Sequence, residues 1–97
     1  MTTFITLGNF TEKGKATIKD FEKQMGKSMQ MTASLGGKLI AIYFTMGRYD
    51  FVIISEFPNE EAMMKLLLNS GTGGFSDTET MVAIPSEKGL EIIKGLL

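Results

Sequence analysis

The sequence predicts a single α+β domain over residues 1–97, in which a four-stranded antiparallel sheet carries two helices on one face. The central hairpin is predicted by two apolar runs, 39–44 and 51–54, on either side of the polar turn Gly47-Arg48-Tyr49-Asp50. Alternating segments near each end of the chain predict two further strands. Amphipathic segments with helical spacing of apolar residues lie between these outer strands and the hairpin. The resulting order, β-α-β-β-α-β followed by a last helix, is the ferredoxin-like arrangement.

The first part of the chain predicts one strand and one long helix. Residues 3–9 alternate in side-chain character and predict the strand. Thr11 is placed to cap the helix, because its hydroxyl can accept an otherwise unpaired backbone N–H of the first turn. The apolar face of the helix recurs every three or four residues and consists of Ile18, Phe21, Met25 and Met29. Gly36-Gly37 ends the helix, since glycine accepts the left-handed conformation common after helix C-termini.

The rest of the chain predicts hairpin strands over 38–45 and 50–57, a second helix, a fourth strand over 76–84 and a short last helix. Asn59 is expected to cap the second helix, directly after Pro58. The glycine-rich segment 71–74 is a connector or, alternatively, a cavity lid. The last helix begins at Pro85-Ser86, and its apolar side consists of Leu90, Ile93 and Leu97.

Composition excludes several classes of function. Ten basic and eleven acidic residues give a net charge of −1, which provides no field to attract phosphate backbones or anionic lipid. The chain has no histidine and no cysteine, so it lacks the commonest general base, the commonest transition-metal ligand and any thiolate nucleophile. No acidic cluster has the spacing of an oxygen-ligated metal site. We therefore expect no metal, no cofactor, no nucleic-acid partner and no membrane span, and a cytoplasmic location.

The hairpin register divides the strand residues between two faces. With Gly47-Arg48 as the loop, the pairs expected beneath the helices are Phe44 with Phe51, Ile42 with Ile53 and Ile40 with Ser55. The pairs expected on the open face are Tyr43 with Val52, Ala41 with Ile54 and Leu39 with Glu56, joined by Phe4 and Val82. Exposed together, these would form an apolar patch of the kind monomers avoid. We therefore expect a homodimer packed sheet to sheet; the last helix is a competing cover, but its apolar stripe is short.

Polar side chains expected on the same open face suggest a cavity between the two facing sheets. The candidate residues are Tyr43, Asp50, Glu56 and Thr80, with Thr6 and Thr78 beside them. The alternative is that Asp50 and Glu56 lie at the ends of strands and contact water. The turn residues also have a structural interpretation, in which Gly47 supplies a positive φ, Asp50 accepts turn N–H groups and Tyr49 covers the end of the hairpin.

Several segments together resemble one family. They are Phe10-Thr11 with Gly14, Leu35-Gly36-Gly37, Tyr43-Phe44-Thr45-Met46-Gly47-Arg48-Tyr49-Asp50, Thr78-Glu79-Thr80, and Ala83. This combination resembles the GYD domain family, small bacterial and archaeal proteins named for the glycine, tyrosine and aspartate of the turn. The resemblance implies the dimeric α+β barrel architecture and leaves the activity open. Two arginines expected from the family pattern are replaced by Asp77 and Val82, which puts any anion site they form elsewhere in doubt here.

Three functional hypotheses follow. The first is a homo-oligomeric domain that binds a small molecule between facing sheets. The second is a cofactor-independent monooxygenase or isomerase of the dimeric α+β barrel type, by analogy of fold, with Glu56 or Asp50 as base and Tyr43 or Tyr49 as hydrogen-bond donor. The third and remotest is RNA binding, because 48–52 faintly resembles the aromatic motif of RNA-recognition domains. Asp50 and the expected burial of Phe51 count against it.

Overall fold

The computed structural model describes residues 1–96, and its elements follow the predicted order. The strands are β1 (Thr2–Phe10), β2 (Lys38–Phe44), β3 (Phe51–Phe57) and β4 (Ser76–Ala83). The helices are α1 (Glu12–Ala16), α2 (Phe21–Ser34), α3 (Glu60–Gly71) and α4 (Ser86–Lys94), with a 3-10 turn at Ile18–Asp20 before α2. Leu97, which the sequence places on the apolar side of α4, lies outside the described residues. The predicted α+β, ferredoxin-like fold is confirmed.

The four strands form one antiparallel sheet in the order β2-β3-β1-β4. The hairpin register is confirmed next to the turn. The confirmed pairs are Phe44 with Phe51, Ile42 with Ile53, Tyr43 with Val52 and Ala41 with Ile54. The turn therefore sets the register of the central hairpin, as its length predicts.

At the start of β2 the predicted register is wrong, because a bulge lies between Leu39 and Ala41. The observed partners are Leu39 with Ser55 and Lys38 with Glu56. A bulge inserts one extra residue, so every side chain before it moves to the other face. Leu39 consequently lies on the helix-covered face, and Ile40 lies outside the pairing and is 53% exposed.

The predicted faces of β1 are also exchanged. Phe4, expected on the open face, is 3% exposed beneath the helices, and its partner Val82 belongs to the same face. Gly8 explains why these residues of β1 face the helices. A Cβ at Gly8 would lie 2.1 Å from the ring of Phe51, which packs directly over β1. The apolar residues that β1 and β4 contribute to the open face are Ile5, Leu7, Met81 and Ala83.

The expectation of one long first helix is wrong, because Thr17 interrupts it. Thr11 caps α1 as predicted, its hydroxyl accepting the N–H of Gly14 at 3.1 Å. The hydroxyl of Thr17 donates to the carbonyl of Lys13 at 2.7 Å, and the carbonyl of Thr17 accepts the N–H of Asp20 at 2.9 Å. These local bonds compete with the helical ladder and produce the 3-10 turn before α2.

The core lies between the sheet and α3. It consists of Phe4, Phe57, Ala62, Met63 and Leu66, with Met31, Leu35 and Leu67 packed against it. Asn59 caps α3 as predicted, since its side chain accepts the N–H of Ala62 at 2.9 Å. An aromatic group lies at the other end of the helix-covered face, with ring centroids 5.3–6.5 Å apart, and consists of Phe10, Phe21, Phe44 and Phe51.

The open face and α4 both expose large apolar side chains. On the open face Tyr43 is 58% exposed and Met81 40%. No residue of α4 is buried. None of the helices within residues 1–96 combines the length and apolar character needed to cross a membrane.

Candidate functional site

The turn Gly47-Arg48-Tyr49-Asp50 is closed by hydrogen bonds to Thr45. The backbone N–H of Thr45 donates to the carbonyl of Asp50 at 2.8 Å, and its hydroxyl donates to the carbonyl of Tyr49 at 2.6 Å. Gly47 has a φ of +121°, the positive value predicted for it. Glycine is required here for this backbone conformation. A Cβ would have room, because no atom lies within 4 Å of the position it would occupy.

Asp50 and Tyr49 connect the hairpin to the other two strands. Oδ2 of Asp50 accepts the backbone N–H of Phe10 at 2.8 Å, whereas the sequence predicted a turn N–H. The N–H of Asp50 donates to the carbonyl of Gly8 at 2.8 Å. The hydroxyl of Tyr49 donates to Oε2 of Glu79 at 3.0 Å. The motif thus joins β3 to β1 and β4, which is a structural role.

The structure does not bring the four candidate residues together. Tyr43 and Glu56 lie on the open face, at opposite ends of the hairpin strands. Asp50 is at the end of the hairpin and bonded to β1. Thr80 lies on the helix-covered face, where its hydroxyl is 3.0 Å from that of Thr6. The residues wrongly assigned to the open face are Thr6, Thr78 and Thr80, because the phase of β1 and β4 is the reverse of the one predicted.

The helix-covered face borders a partly open cavity of about 640 Å³, between the sheet, α2 and α3. Ligand pockets commonly measure about 300–1,000 Å³, so the volume suits a small molecule. Its apolar wall includes Met25 of α2, Leu66 of α3 and Ile53 of β3. The glycine-rich loop also lines it over 71–73, and this loop is held by a hydrogen bond of 2.7 Å from Nζ of Lys13 to the carbonyl of Gly73.

The three buried polar side chains among the described residues all line this cavity: Thr6, Thr32 and Ser55, which are 4%, 7% and 4% exposed. Thr6 is bonded to Thr80, and the hydroxyl of Thr32 donates to the carbonyl of Ser28 at 2.8 Å. Oγ of Ser55 has no hydrogen-bond partner within residues 1–96. An unpartnered buried hydroxyl costs about 1–3 kcal/mol. Ser55 is therefore an unsatisfied polar group of the cavity wall.

Charged side chains lie only at the opening of the cavity. They are Asp20, Lys23 and Lys27, all of which are exposed. In the described part of the chain, the inner wall carries neither carboxylate nor amine, and no group of three or more acidic residues could hold a metal ion. The inner wall of the cavity therefore suits an uncharged molecule.

Ser55 is the residue that sequence reasoning missed, although its predicted position beneath the helices is confirmed. Every second residue of β3 faces the helices, and three of these four are apolar: Phe51, Ile53 and Phe57. Ser55 is the polar exception. Buried polar groups are normally hydrogen-bonded, so a lone serine in this series is a sequence signal for an internal hydrogen-bonding site.

Comparison with known proteins gives a family and a fold. Residues 4–93 match the family model described as GYD domain. A protein of Thermus thermophilus, named glutamine synthetase and cystathionine beta-lyase binding protein, is 30% identical over 86 residues, which are 88% of this chain and 90% of the relative. The family match extends over the sheet, the cavity and the turn.

Two solved structures share the fold at low identity. MtbAldR superposes with a TM-score of 0.65 at 13% identity, over 86% of this chain and 51% of that chain. A transcriptional regulator from Neisseria meningitidis, solved as a complex with L-Met, superposes with a TM-score of 0.60 at 10% identity, over 86% of this chain and 49% of that chain. This chain thus spans about half the length of each, and the likeness shows the fold alone.

Proposed function

The chain belongs to the GYD domain family, and we propose that it binds a largely apolar, uncharged small molecule in the cavity between its sheet and its helices. The observation that carries this proposal is the hydroxyl of Ser55, which is buried in the cavity wall and has no partner among the described residues. The sequence predicted a cavity between two facing sheets instead. That location needs a second chain and stays a prediction.

The wall specifies the chemistry of the ligand. A hydroxyl, carbonyl or amide group of the ligand would pair with Oγ of Ser55, which requires the wall to move and expose this buried atom. Thr6 is a diagonal neighbour of Ser55 across β1 and β3, about 7–8 Å away, so one ligand can contact both. The body of the ligand would pack on apolar residues such as Leu66 and Met25. An anionic substituent fits only at the opening, beside Lys23 and Lys27.

The test combines retained mass with a fluorescent probe. Native mass spectrometry of freshly purified protein should show a bound compound, and the neutral probe N-phenyl-1-naphthylamine should bind with enhanced emission. Leu67→Trp places a larger side chain in the cavity wall, whereas Leu68→Trp adds the same group to a side chain that is 67% exposed. We expect the first to weaken probe binding at least about tenfold, equivalent to about 1.4 kcal/mol, and the second to leave it unchanged.

Equal probe binding by the Leu67→Trp and Leu68→Trp proteins would show that the probe binds elsewhere and would refute the cavity. Circular dichroism spectra of both variants establish that the comparison is made on folded protein.

Self-association through the open face is the second part of the proposal. The apolar side chains of this face are Ile5, Leu7, Ala41, Tyr43, Val52, Ile54, Met81 and Ala83. Leaving a large aliphatic side chain in water forgoes about 1.5–3 kcal/mol, so a cover over this face stabilises the chain substantially. A second copy packed sheet to sheet provides that cover. The cytoplasmic location also stays a prediction.

Protein binding is a second candidate function, favoured by the name of the Thermus relative. The 30% identity over most of both chains makes binding of a metabolic enzyme a reasonable proposal for this chain. The open face suits it in place of self-association, because a second copy and an enzyme cannot both cover one surface. Sedimentation of this protein with purified glutamine synthetase is the test: a complex that Val52→Lys abolishes supports the proposal, and separate sedimentation at micromolar concentrations refutes it.

Catalysis and RNA binding have less support. Glu56 and Asp50, the proposed bases of an isomerase or monooxygenase, do not line the cavity, so such a reaction would need another site. Unchanged turnover in Glu56→Gln would refute its assignment as base. Phe51 is 4% exposed beneath the helices, as predicted, and cannot stack on a base without local unfolding.

A further inference from the structure

The apolar side of α4 has no partner within the described chain. Leu90 is 55% exposed, Ile92 49% and Ile93 61%, and no residue of the helix is buried. The helix has nine residues and contains Gly89. Isolated helices shorter than about 12–15 residues are marginal in water, and a glycine weakens them further. α4 therefore needs a surface to pack on.

The chain exposes more surface than a compact monomer of its size. Its accessible surface is 6991 Å², against about 5,500 Å² expected for 10.7 kDa. Its radius of gyration is 14.9 Å, against about 12.5 Å expected. The excess of about 1,500 Å² matches the share of each subunit in an obligate homodimer, about 1,000–2,500 Å². A second copy of this chain is thus an occupant of the required size.

The outer edge of β2 offers a matching surface. β2 is an edge strand, so the hydrogen-bonding groups on its outer side are unpaired by other strands. The bulge leaves Ile40 53% exposed at this edge, close to Lys38 as the nearest charge. Proteins commonly cover such apolar edges with a helix. Within one chain α4 does not do so, because it follows β4 at the opposite edge of the sheet.

Two-fold symmetry brings these surfaces together. When two sheets face each other about an axis parallel to their strands, β4 of one copy lies over β2 of the other. The register places Ala83, Thr3, Glu56 and Lys38 in one row across the sheet. The end of β4 is then level with the start of the partner's β2. A link of two residues, Ile84 and Pro85, leads from there into α4, which is about 13 Å long.

We propose that α4 packs across the subunit boundary, where its side chains Leu90 and Ile93 cover Ile40 of a second copy. By symmetry, α4 of the second copy covers Ile40 of the first. This proposal rests on the self-association proposed above and adds the exchanged helix to it. The contact is isologous, so it closes at two subunits and leaves no free apolar helix.

Single-cysteine variants test the exchange directly, because the described chain has no cysteine of its own. Leu90→Cys protein is mixed with Ile40→Cys protein, which carries a mass tag, and oxidised with diamide. The control mixes Leu90→Cys with Lys65→Cys, an exposed position on α3. A disulfide needs Cα atoms within about 7 Å, so the first mixture should give at least about ten times more mixed dimer than the control.

Equal yields of mixed disulfide in the two mixtures would overturn the exchange, as would an intramolecular disulfide in dilute protein that carries both cysteines. A second measurement uses Leu90→Asp/Ile93→Asp, which we expect to raise the dimer dissociation constant at least about 30-fold. A dimer of unchanged affinity in this variant refutes the exchange alone and leaves self-association standing. A monomeric unmodified protein refutes both.

Discussion

The two faces of the sheet are made by the same strands and differ in what covers them. On the helix-covered face, Phe4, Phe51 and Phe57 are 3%, 4% and 0% exposed. On the open face, Tyr43 is 58% exposed and Met81 40%, although the face is comparably apolar. A one-sided sheet normally places polar residues on its wet side. The helices thus bury the centre of their face, although Phe44 at its edge is 66% exposed, whereas the open face keeps large apolar side chains in contact with water.

The helix-covered face has two regions that differ in how closely they are packed. At the α3 end, Phe57 and Met63 belong to a close-packed core. Toward α2 the packing opens into the cavity, and the unpartnered hydroxyl of Ser55 lies in its wall. A polar group placed among apolar neighbours lowers stability unless something binds it. The core thus serves stability, whereas the cavity fits a binding role.

The largest expected effect is the loss of stability caused by a substitution in the core. Phe57→Ala should lower the free energy of unfolding by about 3–5 kcal/mol, because it removes a fully buried ring and leaves a void. Met64→Ala, at a side chain that is 54% exposed on α3, should change it by no more than about 0.5 kcal/mol. Urea unfolding of both variants measures the contrast. Similar losses would mean that the core does not lie where the structure places it.

A charge on the open face should affect association and spare the cavity. Val52→Lys is expected to raise the dimer dissociation constant at least about 30-fold, which is about 2 kcal/mol, because it buries an amine between apolar sheets. Met64→Lys adds the same charge on the helix side and should not. Sedimentation equilibrium measures the constants, and N-phenyl-1-naphthylamine reports the cavity. If the Val52→Lys protein associates like the unmodified one, the open face is not the interface.

The turn motif should matter for stability. Asp50→Ala removes a charged acceptor of the Phe10 N–H and should lower the free energy of unfolding by about 1.5–3 kcal/mol. Asp77→Ala, at an exposed position on β4, should change it by at most about 0.5 kcal/mol. Thermal and urea unfolding provide the values. A stable Asp50→Ala protein that no longer binds its ligand would instead give Asp50 a functional role.

The smallest expected effect on stability tests the unpartnered hydroxyl of Ser55 specifically. In ligand-free protein, Ser55→Ala should raise the free energy of unfolding by up to about 1 kcal/mol, because it removes a buried hydroxyl that has no partner. Thr6→Val removes a hydroxyl that is bonded to Thr80 and should lower it by about 1 kcal/mol. Opposite signs in urea unfolding support the assignment. A loss of stability in both variants would mean that Ser55 is already satisfied.

The turn and caps could be predicted because local chemistry determines them. The polar turn set the register of Phe44 with Phe51, and Asn59 indicated the start of α3. The bulge at Ile40 could not be predicted, since 39–42 is apolar throughout and alternation cannot reveal a slipped phase. Such a slip moves every preceding side chain to the other face.

The cavity could not be predicted because it depends on contacts between distant segments. Ile5 and Leu7 are more apolar than Thr6 and Gly8, which favoured the wrong face for β1. The ring of Phe51 determines which side of β1 faces the helices, because it occupies the space above Gly8. With the phase of β1 reversed, the threonines expected between two sheets lie beneath the helices.

Native mass spectrometry on three proteins tests the separation of the two faces most directly: the unmodified chain, Val52→Lys and Leu67→Trp. The expected results are a dimer with retained small-molecule mass, a monomer that still carries the mass, and a dimer without it. Such a pattern would assign association to the open face and ligand binding to the cavity. A bare monomer from the unmodified chain, or joint loss of dimer and mass in either variant, would contradict it.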